Sequence, residues 1–314
     1  KTFNTNYIPE TAIKRLEEVF EVEIFPENPA NTHEELRKKV KEIDALICLL
    51  TDNIDREIIE AAPNLKCISV YAVGYNNVDV ESATEHNIVV CNTPGVLTET
   101  TADLAWALIL SCARRIVEAD RFVREGKFRG WEPMLMLGND IFGKTLGIIG
   151  MGRIGRAVAH RALGFDMKVI YYDSQVDPES VPTDYIAVDL TTLFHNSDFI
   201  SIHTPLTPET RHLIGEKEFN LMKSTAILIN TARGPIIDEQ ALISALKENK
   251  IAGAGLDVYE NEPIIPEELI ALSNVVLLPH IGSASYETRT KMALLAAENA
   301  IAVIEGKNPP ARVN

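Results

Sequence analysis

Residues 145–159 read Thr-Leu-Gly-Ile-Ile-Gly-Met-Gly-Arg-Ile-Gly-Arg-Ala-Val-Ala, and their pattern decides the fold. The apolar run Leu146, Ile148, Ile149 reads as a buried strand that stops at Gly150. Helical spacing begins at once, in Ile154, Val158, Ala162 and Leu163. Between strand and helix stands Gly150-x-Gly152-x-x-Gly155. The first glycine permits a tight turn, the second lets backbone approach a pyrophosphate, and the third lets helix pack on strand. The helix N-terminus adds free N–H groups and a partial positive charge. A second strand follows, 168–172, and ends in Asp173. That acid lies about 20 residues beyond the glycines, where an acceptor for a ribose 2′-hydroxyl belongs. An ordinary strand–turn–helix with a surface aspartate is the alternative, and the order of strand, glycines, helix, strand and acid speaks against it.

Outward from this stretch the chain alternates strands and helices on both sides. Before it, strands are expected at 2–7, 22–25, 45–50, 67–71 and 88–91, the second ended by a Pro/Asn-rich turn, with helices between them. After it, strands are expected at 185–188, 199–203, 226–230, 253–257 and 275–278. Alternation of this kind implies parallel sheets covered on both faces. The fold class is therefore α/β, with two doubly wound parallel-sheet domains of Rossmann or flavodoxin-like type. At 314 residues, two domains are the natural division. Residues 1–97 with 283–314 form one and residues 98–282 the other, the final helix 286–304 returning to cover the first. A helix expected at 98–119, capped by Thr98, makes the crossing. It is apolar on more than one side, as in Ala102, Leu104, Ala105, Leu108 and Ile109, which suits burial between packed units. Residues 121–143 carry Trp131, Met134 and Leu137 amid charge and glycine, and read either as core or as an arm gripping another subunit.

The net charge of −15, without a basic cluster, argues against nucleic acid or an anionic membrane as partner. No signal peptide and no unbroken apolar span of membrane length is read. Cys48, Cys67, Cys91 and Cys112 are scattered without a Cys-x-x-Cys, so free thiols in a reducing cytoplasm are expected. No His/Asp/Glu spacing resembles a metal site.

Ligands in open α/β sheets bind at the carboxyl ends of the strands. The useful polar residues there are Asp173, His203, Arg233, Asp257, Glu262 and His280. Hydride transfer to a ketone leaves charge on oxygen and calls for a proton donor, for which His280 is suited. Glu262 can favour its imidazolium form and orient it. Arg233 can hold a substrate carboxylate in a bidentate pair, and backbone amides at Val73-Gly74 can add to the same grip. Each has a plainer reading: Arg233 as a surface turn residue, His280 as a hydrogen-bonded histidine at a domain joint, Glu262 as a solvated acid. His33, His86, His160, His195 and His212 read as structural or solvated, whereas His203 at a strand end reads as lining the cofactor site.

Along nearly its whole length the chain resembles the D-2-hydroxyacid dehydrogenase family. The matching stretches are 147–155, His203-Thr-Pro-Leu-Thr-Pro-Glu-Thr, Ile229-Asn-Thr-Ala-Arg-Gly, Gly253-Ala-Gly-Leu-Asp-Val with Glu-Asn-Glu262-Pro, and Leu278-Pro-His280-Ile-Gly-Ser. The resemblance implies an Arg233, Glu262, His280 catalytic set and an active-site cleft between the domains that closes on substrate. It implies a homodimer through the cofactor domains. Around the cofactor it places Thr101, Thr204, Thr231, Ala232, Asp257, Gly282 and Ser283, in addition to Gly150, Gly152, Arg153, Ile154, Gly155, Asp173 and His203. Arg233 and His280 also face the cofactor. Leu50, Val73, Gly74, Arg233 and His280 are implied for the substrate.

Within that family the chain looks like the glyoxylate/hydroxypyruvate reductases, through 71–77, 92–98 and 130–138. It departs from them at Asn76, where they usually carry Asp. It departs from the many NADPH-using relatives that end the second strand in Ser-Arg by having Asp173-Ser-Gln. A carboxylate there repels a 2′-phosphate, so NAD(H) is expected and NADP(H) disfavoured. D-3-phosphoglycerate dehydrogenase is the alternative enzyme; Val70, where that branch commonly carries arginine, and the lack of a regulatory domain after Val313 lean against it. Formate and phosphite dehydrogenases look similar in the cofactor half, but the formate enzymes place Gln at the position of Glu262. A dinucleotide-sensing corepressor is the alternative outside the enzymes, and nothing in 1–97 advertises the peptide groove it needs.

Overall fold

Parallel pairing between every neighbouring pair of strands organises the computed structural model of the chain, which describes residues 1–25 and 32–314. The Pro/Asn-rich turn read after Phe25 lies outside the described residues. By contacts the chain separates into two compact units, Lys1–Leu97 with Ser283–Asn314, and Thr98–Gly282.

The first unit holds β1 (Thr2–Asn4), β2 (Val22–Ile24), β3 (Ala45–Cys48), β4 (Cys67–Val70) and β5 (Val89–Cys91), in the order β2-β1-β3-β4-β5. In register, Phe3, Leu46, Ile68 and Val90 form one row across the sheet. That row packs with Leu36, Ile58 and Ile59 into an apolar core. The opposite face receives the helix Tyr286–Ile304, whose Ala293, Ala296, Ala297 and Ala300 are buried. Small side chains let this helix come close enough for the Ser69 hydroxyl to donate to the Ala296 carbonyl at 2.9 Å.

The second unit holds β6 (Thr145–Ile149), β7 (Lys168–Tyr172), β8 (Tyr185–Ala187), β9 (Phe199–Ile202), β10 (Ile227–Asn230), β11 (Gly253–Leu256) and β12 (Val275–Leu277). Their order is β12-β11-β10-β9-β6-β7-β8. The chain therefore winds outward from β6 through β7 to β8, then returns to β9 and winds the other way. Successive residues enter different cores: Ile148 and Ile229 one, Ile149 and Leu228 the other. Burial on both faces explains why these strands read as continuous apolar runs rather than alternating ones.

The strand expected at 2–7 is shorter, Thr2–Asn4, and the crossing helix departs further from its sequence expectation. The crossing helix is not 98–119 but Thr98–Ala113, followed by a separate helix Ile116–Arg124. Arg115 between them is left-handed, at φ 53°. The Ala113 carbonyl accepts from the Asn139 N–H at 2.8 Å, so a residue far along the chain takes the place of the next helical donor. Thr98 lies in the first turn of the helix rather than ahead of it. The Trp106 side chain locks this helix in place: its indole N–H donates to the Val158 carbonyl at 3.0 Å, and its ring stacks on Phe165 at 4.7 Å.

Replacing Trp106 by Ala is expected to cost about 3–5 kcal/mol, the usual toll for a buried Trp, in urea unfolding followed by circular dichroism. A loss below about 1 kcal/mol would show that the stack and the indole bond do not hold the helix.

Candidate active site

The order of the seven strands reverses between β6 and β9, and the loops leaving these two strands meet there. Gly150 ends β6 with φ +96°, a conformation that L side chains rarely adopt. A Cβ at Gly150 would also lie 2.6 Å from the backbone of His203 and Thr204, which follow β9. The first glycine thus serves a close approach of two chains as well as a turn. The His203 N–H donates to the Ile149 carbonyl at 2.7 Å and closes the junction. Gly152 precedes the helix Arg153–Ala162 with no side-chain cap, so the first-turn N–H groups of Arg153, Ile154 and Gly155 point out of the helix unpaired. A Cβ on Gly152 would meet nothing within 4 Å, which leaves open space over that N-terminus.

Asp173 follows β7 and is tied to the glycine loop. Its Oδ2 accepts from the Met151 N–H at 2.7 Å, and its Oδ1 accepts from Gln175 and Val176 at 2.8 and 3.0 Å. With a single donor on Oδ2, one lone pair there is left for a ligand hydroxyl. The His203 imidazole exchanges a hydrogen bond with the Ser201 hydroxyl at 2.8 Å, and burial pushes it down to about 3, so it is neutral at physiological pH.

At the ends of β10, β11 and β12 a second group of side chains gathers. Nδ1 of His280 lies 2.8 Å from Oε2 of Glu262, whose Oε1 accepts from the Tyr259 N–H at 3.0 Å. Burial works to raise the Glu262 carboxyl, but the hydrogen bond and charge of His280, the Tyr259 amide and the Arg233 charge outweigh it and hold it below the usual value. Arg233 is near enough for its charge to act on Glu262, while burial pulls its own value down. His280 has φ +55°, an uncommon conformation for a non-glycine residue. Strain of this kind persists only where surrounding bonds impose it.

Those bonds come from residues whose part the sequence did not disclose. Asp257, which is 1% exposed, accepts from the Ile281 N–H through Oδ1 and from the Gly282 N–H through Oδ2, each at 2.7 Å. It anchors the loop that carries His280. The buried Asn230 does the same for Arg233, accepting from the Ala232 N–H at 3.0 Å and donating to the Arg233 carbonyl at 2.9 Å. The Tyr259 hydroxyl donates to the Leu278 carbonyl at 2.8 Å. A buried polar residue just past a strand was the available sign for Asn230 and Asp257; nothing local marked Tyr259.

Of the remaining expected residues, Thr231 is buried at the end of β10, and its Oγ1 has no hydrogen-bond partner among the described residues. Thr101 on the crossing helix approaches Gly282, whose added Cβ would come within 3.6 Å of it. Ser283 begins the segment leading to the last helix, where its carbonyl accepts from Ser285 at 2.9 Å. Leu50, Val73 and Gly74 belong to the first unit, beyond the carboxyl ends of β3 and β4. There the Val73 carbonyl accepts from the Asn92 side chain at 2.8 Å. Among the described residues no group of three or more His, Cys, Asp or Glu side chains could hold a metal ion.

A glycine loop at a topological switch point, an uncapped helix N-terminus with open space above it and an orphaned buried hydroxyl together suit a bound dinucleotide. They define a dinucleotide-binding protein. Residues 106–282 match the family described as D-isomer specific 2-hydroxyacid dehydrogenase, NAD binding domain. The chain is 56% identical to a glyoxylate reductase of Thermococcus litoralis, covering 100% of itself and 96% of that protein. A crystal structure of the TT0316 protein from Thermus thermophilus superposes with a TM-score of 0.95 at 46% identity, over 100% of this chain and 99% of that one. An NADPH-dependent glyoxylate/hydroxypyruvate reductase from Sinorhizobium meliloti, solved with NADP and malonate, gives 0.88 at 31% identity, over 99% and 96%. The chain belongs to the D-isomer specific 2-hydroxyacid dehydrogenase family, and it uses a nicotinamide cofactor.

Adding a methyl group at Gly150 should separate the two loops. Gly150→Ala is expected to weaken NADH binding at least about tenfold in a fluorescence titration, since displacements of an ångström at such sites cost up to about 100-fold. Unchanged affinity would mean that the close approach to His203 has no part in the cofactor site.

Proposed function

We propose that the protein reduces a small 2-keto acid, glyoxylate or hydroxypyruvate, to the 2-hydroxy acid with NADH. The observation that carries this reading is the His280–Glu262 pair at 2.8 Å within reach of the Arg233 charge. Gly150, Gly152, Arg153, Ile154 and Gly155 hold the pyrophosphate, and Thr101, His203, Thr204, Thr231, Ala232, Asp257, Gly282 and Ser283 surround the nicotinamide half. When bound, the reduced nicotinamide supplies a hydride to the carbonyl carbon. Arg233 pairs with the substrate carboxylate and polarises the adjacent carbonyl. Glu262 occupies Nδ1 of His280, which leaves Nε2 to give its proton to the carbonyl oxygen as negative charge develops there. Hydride and proton together account for the two hydrogens gained. His203, being neutral, is unsuited to the acid's part.

NADH rather than NADPH follows from Asp173. A carboxylate facing the ribose accepts a hydroxyl and repels a phosphate, and Ser174 and Gln175 offer no cation to offset it. We further assign a second copy of this chain to the exposed apolar side chains of the second unit, Ile116, Val123, Phe128, Trp131, Met134 and Phe142, which favours a homodimer through the cofactor units. Four free cysteines fit a cytoplasmic setting. Among the described residues no helix is long and apolar enough to cross a membrane.

Steady-state assays with glyoxylate test the reading. His280→Ala is expected to lower turnover by ~10²–10⁴-fold with NADH affinity intact, the usual range for losing a general acid; near-normal turnover would refute the assignment. The catalytic efficiency with NADH should exceed that with NADPH by at least about tenfold, or about 1.4 kcal/mol of charge repulsion, and Asp173→Ala should narrow the gap. Equal efficiencies in the unaltered protein would remove Asp173 from the cofactor choice.

A further inference from the structure

The second unit contains one buried carboxyl that the reaction does not use. Glu239, 6% exposed, opens the helix Glu239–Lys247 behind the turn that bears Glu262. Its Oε1 accepts from the Glu260 N–H, and its own N–H donates to Oε2 of Glu260, each at 3.2 Å. The other oxygen of Glu260 lies 2.7 Å from Nε2 of His212. Glu260 is therefore fixed at its backbone and at both carboxylate oxygens. Burial raises the Glu239 carboxyl above its ordinary value, the Glu260 amide lowers it and the Glu260 charge raises it again.

The turn is held from below as well. A Cβ at Gly234 would overlap the carbonyl of Tyr259 and crowd the Glu260 nitrogen, so the turn carrying Arg233 and the turn carrying Glu262 lie in van der Waals contact. Contact alone does not set a register between them. The Tyr259 hydroxyl restrains only the start of the turn, and the Tyr259 amide bonds to Glu262 itself. Glu260 ties the middle of this turn to the N-terminus of the helix Glu239–Lys247.

We propose that Glu260, clamped by Glu239 and His212, is a positioning residue that keeps the Glu262 carboxylate on Nδ1 of His280. This rests on the reading of His280 and Glu262 as the catalytic pair. Glutamate has three side-chain torsions, and a carboxylate that must stay within about 0.5 Å of a productive position needs its backbone held. Arg233 keeps its own anchor in Asn230, so loosening the 259–262 turn affects proton donation and leaves the carboxylate clamp intact.

The test compares Glu260→Ala, Glu260→Gln, His212→Ala and Glu262→Gln, with the folded fraction of each measured by stoichiometric NADH binding. Glu260→Ala is expected to lower kcat about tenfold per folded site, with the keto-acid KM and the NADH Kd within about twofold of the parent. Glu260→Gln, whose carbonyl still accepts from the Glu239 amide, should recover most of that loss. If Glu260→Ala does not fold, His212→Ala, which removes only a half-exposed partner, is expected to lower kcat about threefold with the same KM. A parental kcat in Glu260→Ala, or in His212→Ala when that variant decides, overturns the proposal, as does a loss that appears wholly in KM. Glu262→Gln separates the two layers: a normal kcat there removes the catalytic pair itself, whereas a crippled Glu262→Gln beside an unaltered Glu260→Ala removes only the clamp.

Discussion

The backbone of Gly150 against that of His203 and Thr204 is the contact on which the second unit is arranged. Strands β6 and β9 are adjacent in the sheet although β7, β8 and their connecting helices lie between them in the chain. Their loops leave the same edge and diverge, one toward β7 and one toward β10. Only backbone without a Cβ lets the two come within van der Waals distance at that point. Once they do, the helix N-terminus after Gly152 faces the space that the divergence opens, and a phosphate finds N–H donors where no side chain intrudes.

From that junction outward, buried polar side chains convert strand ends into aimed functional groups. Asp257 fixes the two amides that follow His280, and Asn230 fixes the Ala232 amide and the Arg233 carbonyl. Each is an acceptor or donor withdrawn from water, and each would be costly if unpaired, by about 1–3 kcal/mol per group. Their bonds are satisfied only when the loops take one conformation, so the cost of a wrong loop maintains the right one. The positive φ of His280 is tolerated for the same reason: two strong amide-to-carboxylate bonds immediately after it offset the strain.

Electrostatics then divides labour among similar groups. Two histidines stand at strand ends in this unit, yet the neutral, half-buried His203 bonds to a serine whereas His280 faces a carboxylate. Two glutamates share the turn after Val258: Glu262 meets the imidazole, and Glu260 meets a helix N-terminus. Residue type is the same in each pair, and the partner distinguishes them.

Strand positions, the glycine loop and the candidates Arg233, Glu262 and His280 were legible from the chain because each depends on local pattern: apolar runs, glycine spacing and polar residues just past a strand. The family resemblance added roles to those positions. What local pattern could not supply was any partner lying far along the chain. The helix that begins at Thr98 ends at Ala113 because Asn139 reaches its last carbonyl, a fact invisible in a window whose apolar residues continue to Ala119. Asp257 reads as a useful polar residue from its place past a strand and as a cofactor residue from the resemblance, and its hold on Ile281 and Gly282 emerges only when β11 and β12 are paired. The sequence by itself determined which segments bury and which residues are chemically capable, since burial and turn formation follow from neighbours a few positions away. Tertiary structure decided which of the capable residues are held, and in what direction, because hydrogen bonds between distant segments form only after the sheet has set their distances.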